Sequence, residues 1–312
     1  MEIPKLSTII QISDFFQDEK KCLKYLAFKR WNNEKPTCPH CGVIGAYKFS
    51  DEKRYKCSTC RQQFTVTVGT IFEGSKIPLR KWFIAIFMVI NHKKGISSHQ
   101  LARDLTVTQK TAWFMLHRIR YALKQGSYEL KGIIEADETF VGGKNKNRHW
   151  DKKIKGTQGR SHSDKTPVLG MIERGGEVRA FVIKNTRAEH LKPVIQNNVE
   201  RGSTLMTDEW RAYRELGKQY NHIWIDHSKG QYAVGDFTTN RIENFWSHLK
   251  RGIIGVYHYT SPKHLQYYVN ESTFRFNTRS LTNAERLDNT IGRCDGMRLT
   301  YKSLISNDES KK

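Results

Sequence analysis

The chain has few acidic residues for its size. Its 312 residues include 31 Asp or Glu and 53 Lys or Arg side chains, which gives a formal net charge of +22 at pH 7. Such a charge attracts polyanions, so a nucleic acid is the expected partner. The alternative at this point is a basic protein with no nucleic-acid role.

Long hydrophobic runs are also missing. The longest apolar stretch, Trp82 to Ile90, is nine residues, which is too short to span a bilayer. The first twenty residues contain acids and no continuous apolar core, so we expect no signal peptide. These absences predict a soluble, intracellular protein.

Cysteine is scarce, but its spacing is informative. Of the six cysteines, four form two Cys-x-x-Cys pairs separated by fifteen residues: Cys38, Cys41, Cys57 and Cys60. Two residues between thiolates let both sulfurs reach one ion at about 2.3 Å, as in tetrathiolate zinc sites. Disulfides are the weaker alternative without a secretory signal. We expect one structural Zn²⁺, and Cys22 and Cys294 have no partner pattern.

A short helix and a longer one are predicted after the cysteine region. Ser97 with Gln100 forms a possible capping box, and Thr108 can cap a second helix after a turn at residues 106–107. This spacing fits a helix-turn-helix, although an ordinary three-helix packing unit remains the alternative. In the first interpretation the DNA-contacting residues of the second helix are Gln109, Lys110, Thr111, Trp113 and Arg118.

Three acids further along the chain occupy suggestive positions. Asp137 lies in a predicted strand over residues 133–141, and Asp208 ends a short apolar run. Glu243 lies on a predicted amphipathic helix over residues 239–250, with Lys250 two turns later. Acids at strand ends and on a following helix can converge on Mg²⁺ or Mn²⁺, which prefer oxygen ligands.

The order of predicted elements here is strand, hairpin, helix, strand, strand and helix, which indicates a mixed α/β domain. Residues 144–165 interrupt it with eight Lys or Arg side chains. We expect a mobile loop there. It either follows DNA phosphates or is a solvated linker.

Residues 38–279, about three quarters of the chain, resemble the DDE transposases of bacterial insertion sequences. They are most similar to the zinc-ribbon ISXO2-like group, the insertion sequence 1595 family, which is related to Merlin elements. The matching motifs are Cys-Pro-His-Cys-Gly at 38–42, Lys-Thr-Ala-Trp at 110–113, Ala-Asp-Glu-Thr-Phe-Val-Gly-Gly-Lys at 136–144, Thr-Asp at 207–208, Asn-Arg-Ile-Glu-Asn-Phe-Trp-Ser-His-Leu-Lys-Arg at 240–251 and Phe-Arg-Phe-Asn-Thr-Arg at 274–279.

The resemblance implies a ribonuclease-H-like catalytic domain with Asp137, Asp208 and Glu243 as the metal-binding acids. Phosphodiester exchange can use two Mg²⁺ or Mn²⁺ ions, and our hypothesis is that Asp137 bridges both, while Asp208 and Glu243 each complete one. The resemblance also implies a DNA transposase that cuts at the terminal inverted repeats of its element and joins the 3′ ends to target DNA. Lys250 would contact a phosphate near the scissile bond, or it is a plain surface lysine. Further expected DNA contacts are Arg251, Arg275 and Arg279.

The expected organisation has five parts. These are an N-terminal helical segment (1–34), a zinc ribbon (35–75), a helix-turn-helix domain (76–127), the catalytic domain (128–282) and a tail (283–312). The partners would be double-stranded DNA and at least one more copy of the chain, in the cytoplasm and nucleoid of a bacterial host. The alternatives are an inactive DNA-binding regulator and a structure-selective nuclease that cuts but never joins.

Overall fold

The computed structural model describes residues 4–32, 34–143, 145–155, 165–208, 211–225 and 239–306. The helices are α1 (Ile9–Phe15), α2 (Glu19–Trp31), α3 (Leu79–Asn91), α4 (Ser98–Leu105), α5 (Gln109–Ala122), α6 (Ala188–Gln196), α7 (Asn240–Gly252), α8 (Leu265–Asn277), α9 (Asn283–Gly292) and α10 (Tyr301–Ile305). The strands are β1 (Tyr47–Lys48), β2 (Arg54–Lys56), β3 (Gln63–Thr65), β4 (Ile133–Val141), β5 (Thr166–Glu173), β6 (Val178–Val182), β7 (Thr204–Asp208) and β8 (Asn221–Ile225). In this described part of the chain, no helix has the length and apolar character that a bilayer crossing requires.

The chain divides into two compact units. The first contains the described residues up to Leu123 together with those from Ser280 onward, and the second runs from Lys124 to Arg279. The segment after residue 280, which carries no sequence motif, therefore folds with the N-terminal part. There the Tyr25 hydroxyl of α2 donates a hydrogen bond to Asp288 of α9 at 2.9 Å.

The N-terminal unit begins with two helices where the sequence predicted one helical segment. The first ends at Phe15. Asp18 caps the second, because its carboxylate accepts the backbone N–H of Lys20 at 3.0 Å. Strands β1, β2 and β3 follow as an antiparallel sheet. The ring of Trp31 packs edge-on against Tyr55, which stacks on Phe64. The ribbon thus has three short strands around the four cysteines.

Helices α3, α4 and α5 form the predicted helical segment. Ser97 caps α4 by accepting the backbone N–H of Gln100 at 3.1 Å. The Gln100 side chain bonds Asp104 rather than returning to Ser97, so half of the expected capping box forms. Thr106, with φ of +51°, turns the chain, and Thr108 caps α5.

The second unit is built on a mixed five-stranded sheet of described residues in the order β6-β5-β4-β7-β8. β4, β5 and β6 are antiparallel neighbours, whereas β7 and β8 run parallel to β4. The predicted element order is confirmed, including the tight hairpin between β5 and β6.

Helices cover both faces of this sheet. α6 packs on one face through Leu191 and Ile195, where the core includes Ile134 and Leu205. α7 and α8 pack on the other face. Since side chains alternate along a strand, the even-numbered residues of β4 face α6 and the odd-numbered ones face α7. Asp137 therefore points to the α7 side.

Candidate metal centre

Asp137 and Asp208 lie side by side on parallel neighbouring strands. The register pairs Ile133 with Thr204 and Glu135 with Met206. Asp137 and Asp208 each lie two residues beyond the last of these paired positions. Carboxylate oxygens of these two acids and of Glu138 lie within 4.8 Å of one another.

The surroundings of Asp137 change its ionisation. The pKa of Asp137 is raised from 3.8 to about 6, mainly by burial and then by the negative charge of Asp208. The indole N–H of Trp246 donates to its Oδ2 at 2.9 Å, which opposes the rise. A divalent cation would relieve this repulsion, and three carboxylates supply the oxygen ligands that Mg²⁺ or Mn²⁺ takes.

Sequence reasoning missed Glu138. Strand alternation points it to the α6 side, where the hydroxyl of buried Tyr213 donates to its Oε1. Burial raises the pKa of that tyrosine well above its ordinary value. The residue follows Asp137 directly, so a search for neighbouring acids in the sequence would have found it.

Glu243 lies in the first turn of α7 and is exposed. It is outside the group of described acids whose oxygens lie within 4.8 Å of one another. Its charge still contributes to the raised pKa of Asp137, and Thr239 donates to its Oε1 at 3.2 Å. Its role as a third ligand stays a prediction. So does the phosphate contact by Lys250, which is exposed in the last turn of the same helix.

Glu135 is a second acid that the sequence did not single out. It lies two residues before Asp137 on the same face of β4, and it is fully buried. Its Oε2 accepts the backbone N–H groups of Arg241 and Ile242 at 3.0 and 3.2 Å. Arg174 Nε lies 3.7 Å from Oε1. This carboxylate therefore caps the N-terminus of α7, although it belongs to a strand of the sheet.

The four predicted zinc ligands converge in the first unit. The Sγ atoms of Cys38 and Cys60 lie 3.6 Å apart, as do those of Cys41 and Cys57. Four ligands tetrahedrally placed at about 2.3 Å from zinc would be about 3.8 Å apart. These residues therefore fit a structural Zn²⁺.

The predicted DNA contacts of α5 differ in exposure. Gln109 and Lys110 are exposed, whereas Thr111 and Trp113 are half-buried.

Arg118 is buried, and its guanidinium donates to the carbonyls of Leu299, Ile71 and Glu73 at 3.0, 2.8 and 2.8 Å. Its placement gives it a structural role, because the side chain that was expected to meet DNA faces the interior.

The arginines of the second unit divide in the same way. Arg251 is exposed and bonds the Ser247 hydroxyl at 2.6 Å. Arg275 is largely buried and forms an ion pair with Glu271. Its position in the interior gives it a structural role, as for Arg118. Arg279 is exposed just after α8, over the ring of Phe276. Of the basic segment 144–165, residues 144 and 156–164 lie outside the described residues.

Comparisons with known proteins identify transposase domains in both units. Residues 129–277 match the ISXO2-like transposase domain, and residues 17–63 match the transposase zinc-ribbon domain. A protein described as an uncharacterized protein in transposable element ISH50, from Halobacterium salinarum, is 30% identical over 248 residues, which are 76% of this chain and 83% of the relative. An uncharacterized transposase-like protein of Haemophilus influenzae is 30% identical over 106 residues, 34% of this chain and 85% of the relative.

Proposed function

The chain belongs to the ISXO2-like transposase family, and we propose that it cuts DNA at the ends of its mobile element and joins the 3′ ends to target DNA. The observation that carries this proposal is the closeness of Asp137 on β4 and Asp208 on the neighbouring strand β7, whose carboxylate oxygens lie within 4.8 Å of each other. Two acids held this close, with one pKa raised by burial and by the other's charge, are typical of a site prepared for a divalent cation.

The proposed chemistry is two in-line displacements at phosphorus. In the first, water attacks the phosphodiester at the element end, and the bond to the 3′ oxygen breaks to leave a 3′-hydroxyl. In the second, that hydroxyl attacks a target phosphodiester, whose own 3′ oxygen leaves. Mg²⁺ or Mn²⁺ bound at this site would activate the attacking oxygen and stabilise the leaving one.

The chain's own residues would have separate tasks. Asp137 and Asp208 would hold the cation, and Glu243, whose charge reaches Asp137, would complete the set from α7. Exposed Lys250 and Arg251 at the other end of α7 would bind phosphates of the DNA strand. The phosphate contacts proposed for Lys250 and Arg251 are supported by the positive charge and the exposure of both side chains.

We also propose how the other parts serve this reaction. The five-stranded mixed sheet with helices on both faces fits a ribonuclease-H-like domain. The capped pair α4 and α5, with exposed Gln109 and Lys110 opening α5, fits a helix-turn-helix that reads the element ends. Two ends must be joined together, so we propose at least a dimer on DNA.

The deciding experiment is cleavage of a supercoiled plasmid that carries the element ends, with Mg²⁺ or Mn²⁺. We expect the wild type to cut at the element boundary and Asp208→Asn to lose at least a hundredfold in rate. Glu189→Gln is the matched control, because it neutralises an exposed acid on α6. A pre-cut end with a free 3′-hydroxyl then tests joining. Tight binding without cutting by the wild type would instead favour a DNA-binding regulator.

A further inference from the structure

The side chain of Trp246 connects α7 to the proposed metal centre. The residue is 4% exposed, and its indole N–H donates to Oδ2 of Asp137 at 2.9 Å. A buried indole N–H needs an acceptor. Here that acceptor is the aspartate at the centre of the site, rather than a backbone carbonyl of the surrounding core.

The sheet is shaped to admit this indole. Gly170 of β5 is the register partner of Asp137, so it lies next to the acid on the α7 face. A Cβ at Gly170 would come within 2.5 and 2.6 Å of Cη2 and Cζ2 of Trp246, and within 2.9 Å of the Ile242 side chain. Because glycine has no side chain, the Trp246 ring has room to lie directly against β5 at Gly170.

The helix that brings Trp246 here is fixed at its own N-terminus. Glu135, on the same face of β4 as Asp137, accepts the backbone N–H groups of Arg241 and Ile242. Phe245 packs beside Trp246, with ring centroids 5.1 Å apart. The indole therefore has little freedom to move away from the Asp137 carboxylate.

We propose that Trp246 is a positioning residue for the metal centre: its N–H holds Oδ2 of Asp137 and so fixes the rotation of that carboxylate beside Asp208. This inference rests on the proposed function, because it assigns a role within the same site. A hydrogen-bonded partner of a metal ligand orients the ligand, and its loss commonly weakens metal binding about 10- to 100-fold.

The competing explanation is that Trp246 is a core residue whose N–H is merely satisfied. The two roles predict different measurements. A core residue stabilises the fold through its ring, whereas a positioning residue acts through the N–H on metal affinity. A replacement that keeps the ring and removes the N–H separates them. The benzothienyl analogue of tryptophan, with sulfur in place of the N–H, does this at position 246.

The test uses the full chain and Mn²⁺ alone, with binding followed by electron paramagnetic resonance. We expect the analogue to keep the wild-type melting temperature and to bind Mn²⁺ roughly tenfold more weakly or worse. Trp246→Phe should lose the same affinity. Phe245→Leu is the matched control, because it removes volume from the same core cluster without a bond to Asp137. It should melt earlier and bind Mn²⁺ as the wild type does.

A second readout follows the bond itself. The indole ¹H–¹⁵N resonance of Trp246, assigned by its absence in Trp246→Phe, should shift when Mg²⁺ is added. An analogue that binds Mn²⁺ as tightly as the wild type would overturn the positioning role. The positioning role would also be overturned if Phe245→Leu lost as much affinity for Mn²⁺ as Trp246→Phe does. If the wild type binds Mn²⁺ and cuts DNA in those cases, the proposed function stands. If it neither binds nor cuts, both proposals fail.

Discussion

Glu135 holds Ile242 across the face of the sheet, since its buried Oε2 accepts the backbone N–H of that residue at 3.2 Å. The neighbouring N–H of Arg241 reaches the same oxygen. These are first-turn donors that lack a partner within the helix, and the side chain of the N-cap residue Thr239 makes no capping bond to the backbone. A strand residue two positions before Asp137 therefore fixes the helix that carries Glu243 and Trp246.

Removing this carboxylate should loosen α7. We expect Glu135→Ala to lower the free energy of unfolding by about 2–4 kcal/mol, because two buried N–H groups lose their acceptor. Glu135→Gln keeps an acceptor oxygen and should cost less. Urea unfolding of the full chain measures both, with the exposed Glu189→Ala as control. Equal stability of Glu135→Ala and the control would show that the bonds do not hold the helix.

The raised pKa of Asp137 predicts a stability that depends on pH. Between pH 3.8 and about 6 the folded chain keeps a proton that the unfolded chain has lost. The free energy of unfolding therefore falls as the pH rises through this window, and it stays lower above it. Without divalent ions, Asp137→Asn should be more stable than the wild type at pH 7, by on the order of 3 kcal/mol.

Thermal unfolding at several pH values tests this sign. The advantage of Asp137→Asn should disappear below pH 3.8, where the wild-type acid is protonated in both states. Added Mn²⁺ should stabilise the wild type and leave the variant unchanged, because binding favours only the state that holds the ion. An advantage that is constant from pH 3 to pH 8 would contradict the proposed cause.

The zinc ribbon should depend on its metal. Its sheet is small, and little besides the packing of Trp31, Tyr55 and Phe64 would hold it without the ion. We expect one zinc per wild-type chain by elemental analysis and none in Cys57→Ser. Cys22→Ser, which changes a buried cysteine outside the ligand set, should retain it. Zinc retained by Cys57→Ser would mean that the four thiols do not form the site.

Two basic residues of α5 should respond in opposite ways to truncation. Arg118→Ala should cost about 2–4 kcal/mol of stability, because three carbonyls lose a donor inside the N-terminal unit. Exposed Lys110→Ala should change stability by less than about 0.5 kcal/mol. It should instead weaken DNA binding and reduce the salt dependence of affinity by about one counterion. Melting curves and salt-dependent binding measure both, and the reverse pattern would refute the assignment.

Local patterns predicted much of this molecule. The amphipathic spacing around Glu243, the apolar residues that flank Asp137 and the paired cysteines are each complete within a few residues, and they led to the correct helix, strand and ligand cluster. The family was identified from the same motifs, and the domain matches confirm it. The sequence also predicted that acids at strand ends, Asp137 and Asp208, would lie close together in the sheet.

Features that depend on distant packing were not predictable in this way. Arg118 and Arg275 look like any other basic residue in a chain of net charge +22, and only tertiary contacts bury them. Glu135 looked like one more acid beside Asp137, since its partners lie more than a hundred residues later. The segment from Ser280 onward has no motif, and its place beside the N-terminal helices follows from packing alone.

Gly170 gives the sharpest test of the packing around the site. A Cβ there would lie 2.5 Å from the Trp246 ring, so Gly170→Ala should force the indole off the strand and cost about 1–3 kcal/mol. Gly143→Ala is the matched control, because its Cβ would meet no atom within 4 Å. Chemical unfolding measures both variants.

The clash also predicts coupling between two positions. Trp246→Phe removes the atoms that Gly170→Ala would strike, so the double variant should be more stable than the sum of the two single losses, by roughly 1 kcal/mol. The Ile242 contact at 2.9 Å remains in the double variant, and recovery should therefore be partial. Strict additivity would mean that the ring does not lie against Gly170, and it would remove the geometric basis for the bond between Trp246 and Asp137.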